Sequence, residues 1–503
     1  MDINDSATST CMGIISSWFP EVRWIRRRDL QYADDVIAEE GIHSSLLSSP
    51  SSKPKPAEVV SSPDKSYDSL ISELNRIKEQ LMPAATACAD AINTYYQSSN
   101  STNPGYEFRK ARTSCNPYES LGAATSKSNL NQYKKKSRKR KWHQQPTPQG
   151  LSQFVNRSAI KLANIDALLG FILTNAVQGE DETFVFVDLC GAPGGFSEYI
   201  LYRYLHPAIS QTNDPEMDDA HCLRINGRRA CFGFGMSLNG SNSDGEGAHW
   251  DLDHLKSYHI NYHDTPEAKK GGMRPQLSYH VCDGADGTGS IYNWDNVVQL
   301  QHDIRVKIDP TSCDNPLVNL VVADGGFDAQ RDSTDQESIA FKIIVSQTAA
   351  ALTLLRPGGT FVLKMFGFRE DATRHMLNVL QTYFDQMTFV KPVLSRPASA
   401  ERYLVCRGFV GTGKEWDGLA WRKKMLQTSH ERSVQKQKYP PLEDLMASFD
   451  LDMAQLNIDT CRSIVNRLDE KRKCAEQGKD VNAFEEHRSC LDTKAYESVW
   501  QLK

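Results

Sequence analysis

FVFVDLCGAPGGFSEYI, residues 184–200, decides the fold. FVFVDL is an apolar, β-favouring run too short for a core helix, and it reads as a buried strand. GGFSEYILYRYL then reads as a helix, so CGAPGG is the turn that opens a βα unit. The same alternation continues on both sides. FVNRSAIKLANIDALLGFILTNA (154–176) reads as a helix, and ACFGFGMSL (230–238), LSYHVCD (277–283) and LVNLVVADGG (317–326) as strands. A helix from about 335 to 355 precedes the turn RPGG and the strand TFVLKMF (360–366). REDATRHMLNVLQTYF reads as a helix, and MTFVKP and ERYLVCRGF supply two more strands. Strands that alternate with helices predict a doubly wound, Rossmann-like α/β sheet covered on both faces.

The rest of the chain divides around this unit. Residues 1–66 contain SSLLSSPSSKPKP and read as a mostly disordered tail, with WFPEVRWIRRRDL (18–30) as a short amphipathic segment able to dock. Residues 67–149 form a helical extension, in which SYDSLISELNRIKEQLM (66–82) reads as a helix from the spacing of Leu70, Leu74, Ile77 and Leu81. The doubly wound domain spans 150–412, and 413–503 form a charged, helical C-terminal extension, read as a packed flank of the core. A net charge of -5 argues against a uniformly basic nucleic-acid coat. Twelve cysteines with no CxxC point to reduced thiols rather than a disulfide framework or zinc ribbon. No stretch reaches the ~18 apolar residues of a membrane span. MDINDSATST lacks the basic and apolar regions of a secretion signal.

In such a sheet, ligands bind at the carboxyl ends of the strands near the switch point. Asp188 closes the first strand, and Gly191, Gly194 and Gly195 let the backbone approach a ligand, with Pro193 stiffening the turn. The spacing is not GxGxxG, which excludes a dinucleotide dehydrogenase. An acid followed by CGAPGG fits a ligand with an amino-acid moiety and a nucleoside but no phosphate, a description that S-adenosylmethionine meets.

Four further residues fall at element ends. Asp324 ends a strand expected beside the first, Lys364 lies inside an apolar strand, Glu401 starts a later strand, and Lys161 sits on the preceding helix. Burying a lysine is costly unless an acid is near. The group suits removal of a proton from a hydroxyl. Lys364 is the expected base, its proton affinity reduced by desolvation and by Lys161, with Glu401 orienting an ammonium and Asp324 holding Lys364 and the hydroxyl in line. No metal is required.

NRSAIKLANID, DLCGAPGGFSEYIL, VVADGGFD, FVLKMFG and SRPASAERYLVC resemble the motifs of FtsJ-like ribose 2′-O-methyltransferases. Over about residues 105–412 the likeness is to the branch that acts on the first transcribed nucleotide of capped mRNA, because FRKARTSCNPYE (108–119) is also present. The resemblance implies a class I S-adenosylmethionine-dependent fold and a Lys-Asp-Lys-Glu tetrad of Lys161, Asp324, Lys364 and Glu401. It implies cofactor contacts from Asn156, Asp188, Cys190, Gly191, Pro193, Gly194, Gly195, Phe196 and Asp324. An acid of a DGxGDI-like loop is also expected there. This chain has DGADGTGSI, with Ser290 at the acid's place and Asp286 and Asp283 near it. Cap contacts are implied for Arg112 and for Arg396 of the SRP motif. The loop DAQRDSTDQES puts Ser333 at the guanine-reading position, flanked by Asp332 and Asp335.

The expected partner is the 5′ end of capped mRNA, with transcription or capping machinery as further candidates and no membrane. KKKSRKRK (134–141) reads as a nuclear import signal or a contact to RNA phosphates, and the nucleus is the expected location. The segment around 205–275, with His249, His254, His259 and His263 in its Gly/Asn/Asp-rich stretch 239–275, reads as a solvated, non-helical insertion rather than a metal site. Ribose methylation of rRNA or of a later cap nucleotide, and an inactive cap-binding module, are the alternatives.

Overall fold

The computed structural model describes residues 22–27, 67–96, 102–119, 121, 154, 156–174, 183–206, 230–239, 249–263, 276–308, 318–326, 336–428, 440–479, 481 and 493–502. Eight strands appear among them: β1 (Ile25–Arg26), β2 (Phe184–Leu189), β3 (Ala230–Met236), β4 (Gln276–Val281), β5 (Val318–Ala323), β6 (Leu355–Met365), β7 (Phe384–Val390) and β8 (Arg402–Phe409). The helices are α1 (Tyr67–Tyr96), α2 (Pro104–Ser114), α3 (Arg157–Leu168), α4 (Gly195–Leu205), α5 (Leu252–His263) and α6 (Trp294–Ile308). They continue with α7 (Gln336–Leu354), α8 (Asp371–Gln381), α9 (Gly418–Thr428), α10 (Pro440–Glu476) and α11 (Thr493–Val499).

One sheet runs β4-β3-β2-β5-β6-β8-β7-β1. The five strands from β4 to β6 are parallel, and β8, β7 and β1 are each antiparallel to the strand before. This is the expected doubly wound sheet, with an antiparallel β8–β7 pair on one side and β1 added at the edge. The chain moves outward from β2 to β4 and then returns to β5 on the other side of β2. That reversal creates the switch point between β2 and β5.

FVFVDL alternates as a doubly covered strand must. Val185, Val187 and Leu189 pack with α6, α7, α8 and α9, whereas Phe184 and Phe186 pack with α3, α4 and α5 on the opposite face. The expected docking segment is edge strand β1, whose Ile25 pairs with Met387.

Three elements differ from their expectations. α3 stops at Leu168 rather than running to 176, because Gly170 and Phe171 take positive φ. The buried carboxylate of Asp166 then accepts from Leu173 N (2.9 Å), Thr174 Oγ1 (2.6 Å) and Tyr199 OH (2.9 Å). α1 continues through Pro83. Proline removes one helical hydrogen bond, but Ala85, Cys88 and Ala89 beyond it are buried. The segment 239–275 is not a non-helical insertion throughout, since 252–263 form α5, whose Leu255 and Tyr258 are in the core. Glycine-rich flanks dilute its pattern.

The C-terminal extension packs as a flank. Leu70, Leu74 and Ile77 of α1 meet Ala454, Ile458 and Cys461 of α10. The buried Glu107 of α2 accepts from Lys471 Nζ at 2.7 Å. Arg203 of α4 donates to the carbonyls of Trp500 and Gln501. No helix among the described residues is long and apolar enough to cross a membrane.

Candidate active site at the switch point

Register brings the sequence-predicted residues together. Leu189 of β2 lies opposite Ala323 of β5, and Ala323 opposite Leu363 of β6. The next residue along each of these strands, Cys190, Asp324 or Lys364, therefore lies at one shared end of the sheet. Lys364 faces Tyr403 across the antiparallel pair, which places Glu401 just beyond.

Two ion pairs result. Lys364 Nζ lies 3.1 Å from Asp324 Oδ1 and donates to the Asp324 carbonyl at 2.6 Å. Lys161 Nζ lies 2.9 Å from Glu401 Oε1 and donates to Oε2 at 3.0 Å. All four side chains are more than four-fifths buried. Asp324 also accepts from Tyr403 OH (2.7 Å) and Ser158 Oγ (3.2 Å), so its carboxylate is held from three elements.

The pairs behave as one group. Burial works against the charge of Lys161, but Glu401 and Asp324 outweigh it and hold the amine above the ordinary lysine range. Burial likewise works against the Glu401 carboxylate, and Lys161, Lys364 and Lys391 together hold it well below the carboxylate range. Lys161 is thus a standing cation, oriented by a standing anion.

The glycine turn lies beside this group. Cys190 takes a positive φ of 56°, and the Ala192–Pro193 peptide is cis. Asp188 is fully buried, and its Oδ2 accepts from Ser197 N (3.2 Å) and Oγ (2.7 Å). Its Oδ1 is buried and has no hydrogen-bond partner among the described residues. A Cβ on Gly191 would stand 1.9 Å from that oxygen. An orphaned carboxylate oxygen in a hollow that a single methyl would fill fits a ligand bearing an ammonium.

A Cβ on Gly195 would meet Ser158 Cβ at 2.8 Å and Asn156 Cγ at 3.0 Å, so Asn156, the N-cap of α3, abuts the start of α4. Gly194 is the N-cap of α4, with a φ of 107°. The carbonyl of Pro193 accepts from Asp251 N (3.1 Å). Phe196 is buried with its ring 5.9 Å from that of Tyr403, and so backs the tetrad.

Burial pushes Asp188 up to about 7, against the pull of Ser197, and Asp324 adds to the push. An acid raised on folding contributes stability at low pH that is lost as pH rises through its folded value. The free protein therefore loses stability, relative to Asp188→Asn, as pH rises from about 4 to about 7, by a few kcal/mol in order of magnitude. Parallel thermal melts of the two proteins across that range check this. A flat difference contradicts it.

Other predicted residues are placed less directly. Asp286 is exposed, and its carboxylate is committed to its own loop, accepting from Thr288 N (2.9 Å), Thr288 Oγ1 (2.7 Å) and Asn293 Nδ2 (2.7 Å). The hydrogen bonds from Asn293 and Thr288 hold it below the carboxylate range. Asp283 is exposed and Ser290 half-buried. Arg112 is half-buried on α2, over the Phe108 ring at 5.4 Å. Arg396 Nη2 lies 3.8 Å from Glu119 Oε1, and Glu119 also pairs with Arg157. Through Glu119, the segment 108–119 is fastened to the start of α3 and to the SRP loop. Ser333, Asp332, Asp335 and the basic run 134–141 lie outside the described residues.

His254 Nε2 lies 2.7 Å from Glu198 Oε1, inside the fold. Among the described residues no cluster of His, Cys, Asp or Glu could hold a metal ion. Ser158, Tyr403 and Lys391 contribute without having been singled out by the motif reading. Lys391 carried a signal, since a lysine in FVKP is as odd at a strand end as Lys364 in FVLKMF.

A family model described as FtsJ-like methyltransferase matches residues 154–244 and 249–409, half of the chain. Several curated proteins named "Cap-specific mRNA (nucleoside-2'-O-)-methyltransferase 1" are similar. That of Trypanosoma brucei brucei is 33% identical over 270 residues, covering 53% of this chain and 59% of the relative. That of Drosophila melanogaster is 29% identical over 308 residues, covering 60% and 29%. The Homo sapiens protein is 28% identical over 313 residues, covering 60% and 28%. The match thus spans under two thirds of the trypanosome relative and under a third of these animal ones.

Proposed function

Because the chain belongs to the FtsJ-like methyltransferase family, we propose that it transfers a methyl group from S-adenosylmethionine to the ribose 2′-OH of the first transcribed nucleotide of capped mRNA. The observation that carries the reading is the convergence of Lys364–Asp324 and Lys161–Glu401 beside the glycine turn. The cap and the first nucleotide are supported by the names of the relatives and by the 108–119 segment fastened at Glu119.

S-adenosylmethionine, when bound, supplies the methyl group on a sulfonium. Asp188 Oδ1, the turn 190–195 and Asn156 are the residues that would hold it. The chain's own part is to orient the hydroxyl and to take its proton. Lys364 is the acceptor, kept in place by Asp324, which Tyr403 and Ser158 fix in turn. Lys161, held charged by Glu401, stabilises the negative charge that grows on the 2′ oxygen. Arg112 and Arg396 are the cap-side contacts. The basic run 134–141 supports a nuclear site of action, where transcripts are capped.

Initial rates on one RNA sequence, with a cap or with a 5′ triphosphate, test the substrate. The capped RNA is expected to react at least about tenfold faster, a preference of about 1.4 kcal/mol in the transition state. Equal rates would favour an rRNA-type ribose methyltransferase.

A further inference from the structure

We propose that Lys391 is a positioning residue for the tetrad, a buried amine that fixes Glu401 from behind by binding its main-chain carbonyl. The inference rests on the methyl-transfer reading and deepens it. Lys391 closes the strand FVKP directly after β7, and it is 2% exposed. Its Nζ donates to the carbonyls of Glu401 (2.7 Å) and Ser399 (2.9 Å), and lies 2.9 Å from Ser395 Oγ and 3.2 Å from Ser399 Oγ. All four partners belong to the segment 395–401, which ends at the tetrad's glutamate. A methionine would fill the same volume without the cost of burying an amine. The donors, not the stem, explain a lysine here.

The shell suits both protonation states. A charged amine has three N–H donors, for two carbonyls and one hydroxyl oxygen. A neutral amine has two, for the carbonyls, and its lone pair can accept from the Ser395 hydroxyl. Burial pulls Lys391 down to about 7, against the pull of Glu401, and Arg402 and Lys161 add to the depression. These are the charged groups that act on it, from β8, from the residue directly before β8, and from α3. When protonated, Lys391 adds a cation behind Glu401, whose charge acts on the same carboxylate that orients Lys161. Catalysis is therefore expected to be faster on the alkaline side of this titration.

Lys391→Met tests the role. On capped RNA, kcat is expected to fall about 10- to 100-fold, the usual cost of losing an outer partner that orients a catalytic group. KM for RNA and for the methyl donor should stay within about threefold, since the lost interaction acts on the transition state. The wild-type kcat profile should carry an inflection near pH 7 that the variant lacks. A kcat within about twofold of wild type overturns the proposal. So does a loss that tracks loss of folded protein while the inflection persists.

Two measurements on the free protein do not depend on turnover. In side-chain-labelled lysine NMR, one amine should titrate near 7 and vanish in Lys391→Met. Amide exchange across 395–401 should quicken in the variant. Absence of that resonance, or unchanged exchange, overturns the proposal. Both effects present in a wild type that transfers no methyl group uphold the positioning and strike the methyl-transfer reading instead.

Discussion

Lys364→Met is expected to lower the rate of methyl transfer by about 10²- to 10⁴-fold, the range for loss of a general base, while the protein stays folded and binds RNA. Methionine keeps the length of the lysine stem and removes the proton acceptor. The fold should tolerate the change, because Asp324 loses one partner and keeps two, Tyr403 at 2.7 Å and Ser158 at 3.2 Å. No carboxylate is left orphaned. Single-turnover rates on capped RNA, beside anisotropy measurements of binding, separate chemistry from affinity. A rate within tenfold of wild type would mean that the proton leaves by another group. Lys161 is ill suited to that part, since Glu401 and Asp324 keep it charged.

The second large effect is on stability. Arg402→Leu is expected to destabilise the protein by about 3–5 kcal/mol, the cost of breaking a buried ion pair from one side. Arg402 of β8 and Asp450 of α10 are paired with both side chains 6% exposed. The guanidinium lies 4.6 Å from the Phe368 ring and 5.6 Å from Phe449, and Nε donates to the carbonyl of Ala400. Removing the arginine leaves the buried Asp450 carboxylate without its direct ion-pair partner. The double variant Arg402→Leu/Asp450→Leu should recover most of the loss, because replacing both partners removes the uncompensated charge. Urea midpoints for the four proteins of the cycle measure the coupling. Additive losses would show that the pair contributes nothing as a pair.

Arg402 also explains why a remote helix matters to the site. It comes directly after Glu401 and stands opposite Met365, the residue after Lys364. α10 thus grips the two strands that carry half of the tetrad. The C-terminal flank therefore contributes to the stability of the sheet.

Much of this was legible in the chain. FVFVDL, LVNLVVA and TFVLKM are apolar runs that only a doubly covered sheet can bury, so the architecture could be read from them. Lys364 and Asp324 were legible because a lysine in an apolar strand demands a nearby acid. The features that could not be read depend on distant partners. α3 ends early at the positive φ of Gly170 and Phe171, in a turn held by Asp166, which finds Tyr199 on another helix. α1 passes Pro83 because α2 and α10 cover Ala85 and Cys88 on its far side. α5 hides between glycine-rich flanks, and α6 is not anticipated by the motif alternation. β1 is two residues long, below any periodicity. Asp286 is an expected cofactor contact by resemblance to the DGxGDI-like loop, and its loop geometry, in which its oxygens accept from Thr288 and Asn293, depends on partners that the motif does not specify.

The most direct measurement is mass spectrometry of nuclease fragments from a short capped transcript incubated with the protein and S-adenosylmethionine. The expected product is one methyl heavier on the ribose of the first transcribed nucleotide, absent with Lys364→Met. A methyl group on a base, on an internal ribose, or on no fragment at all would contradict the assignment.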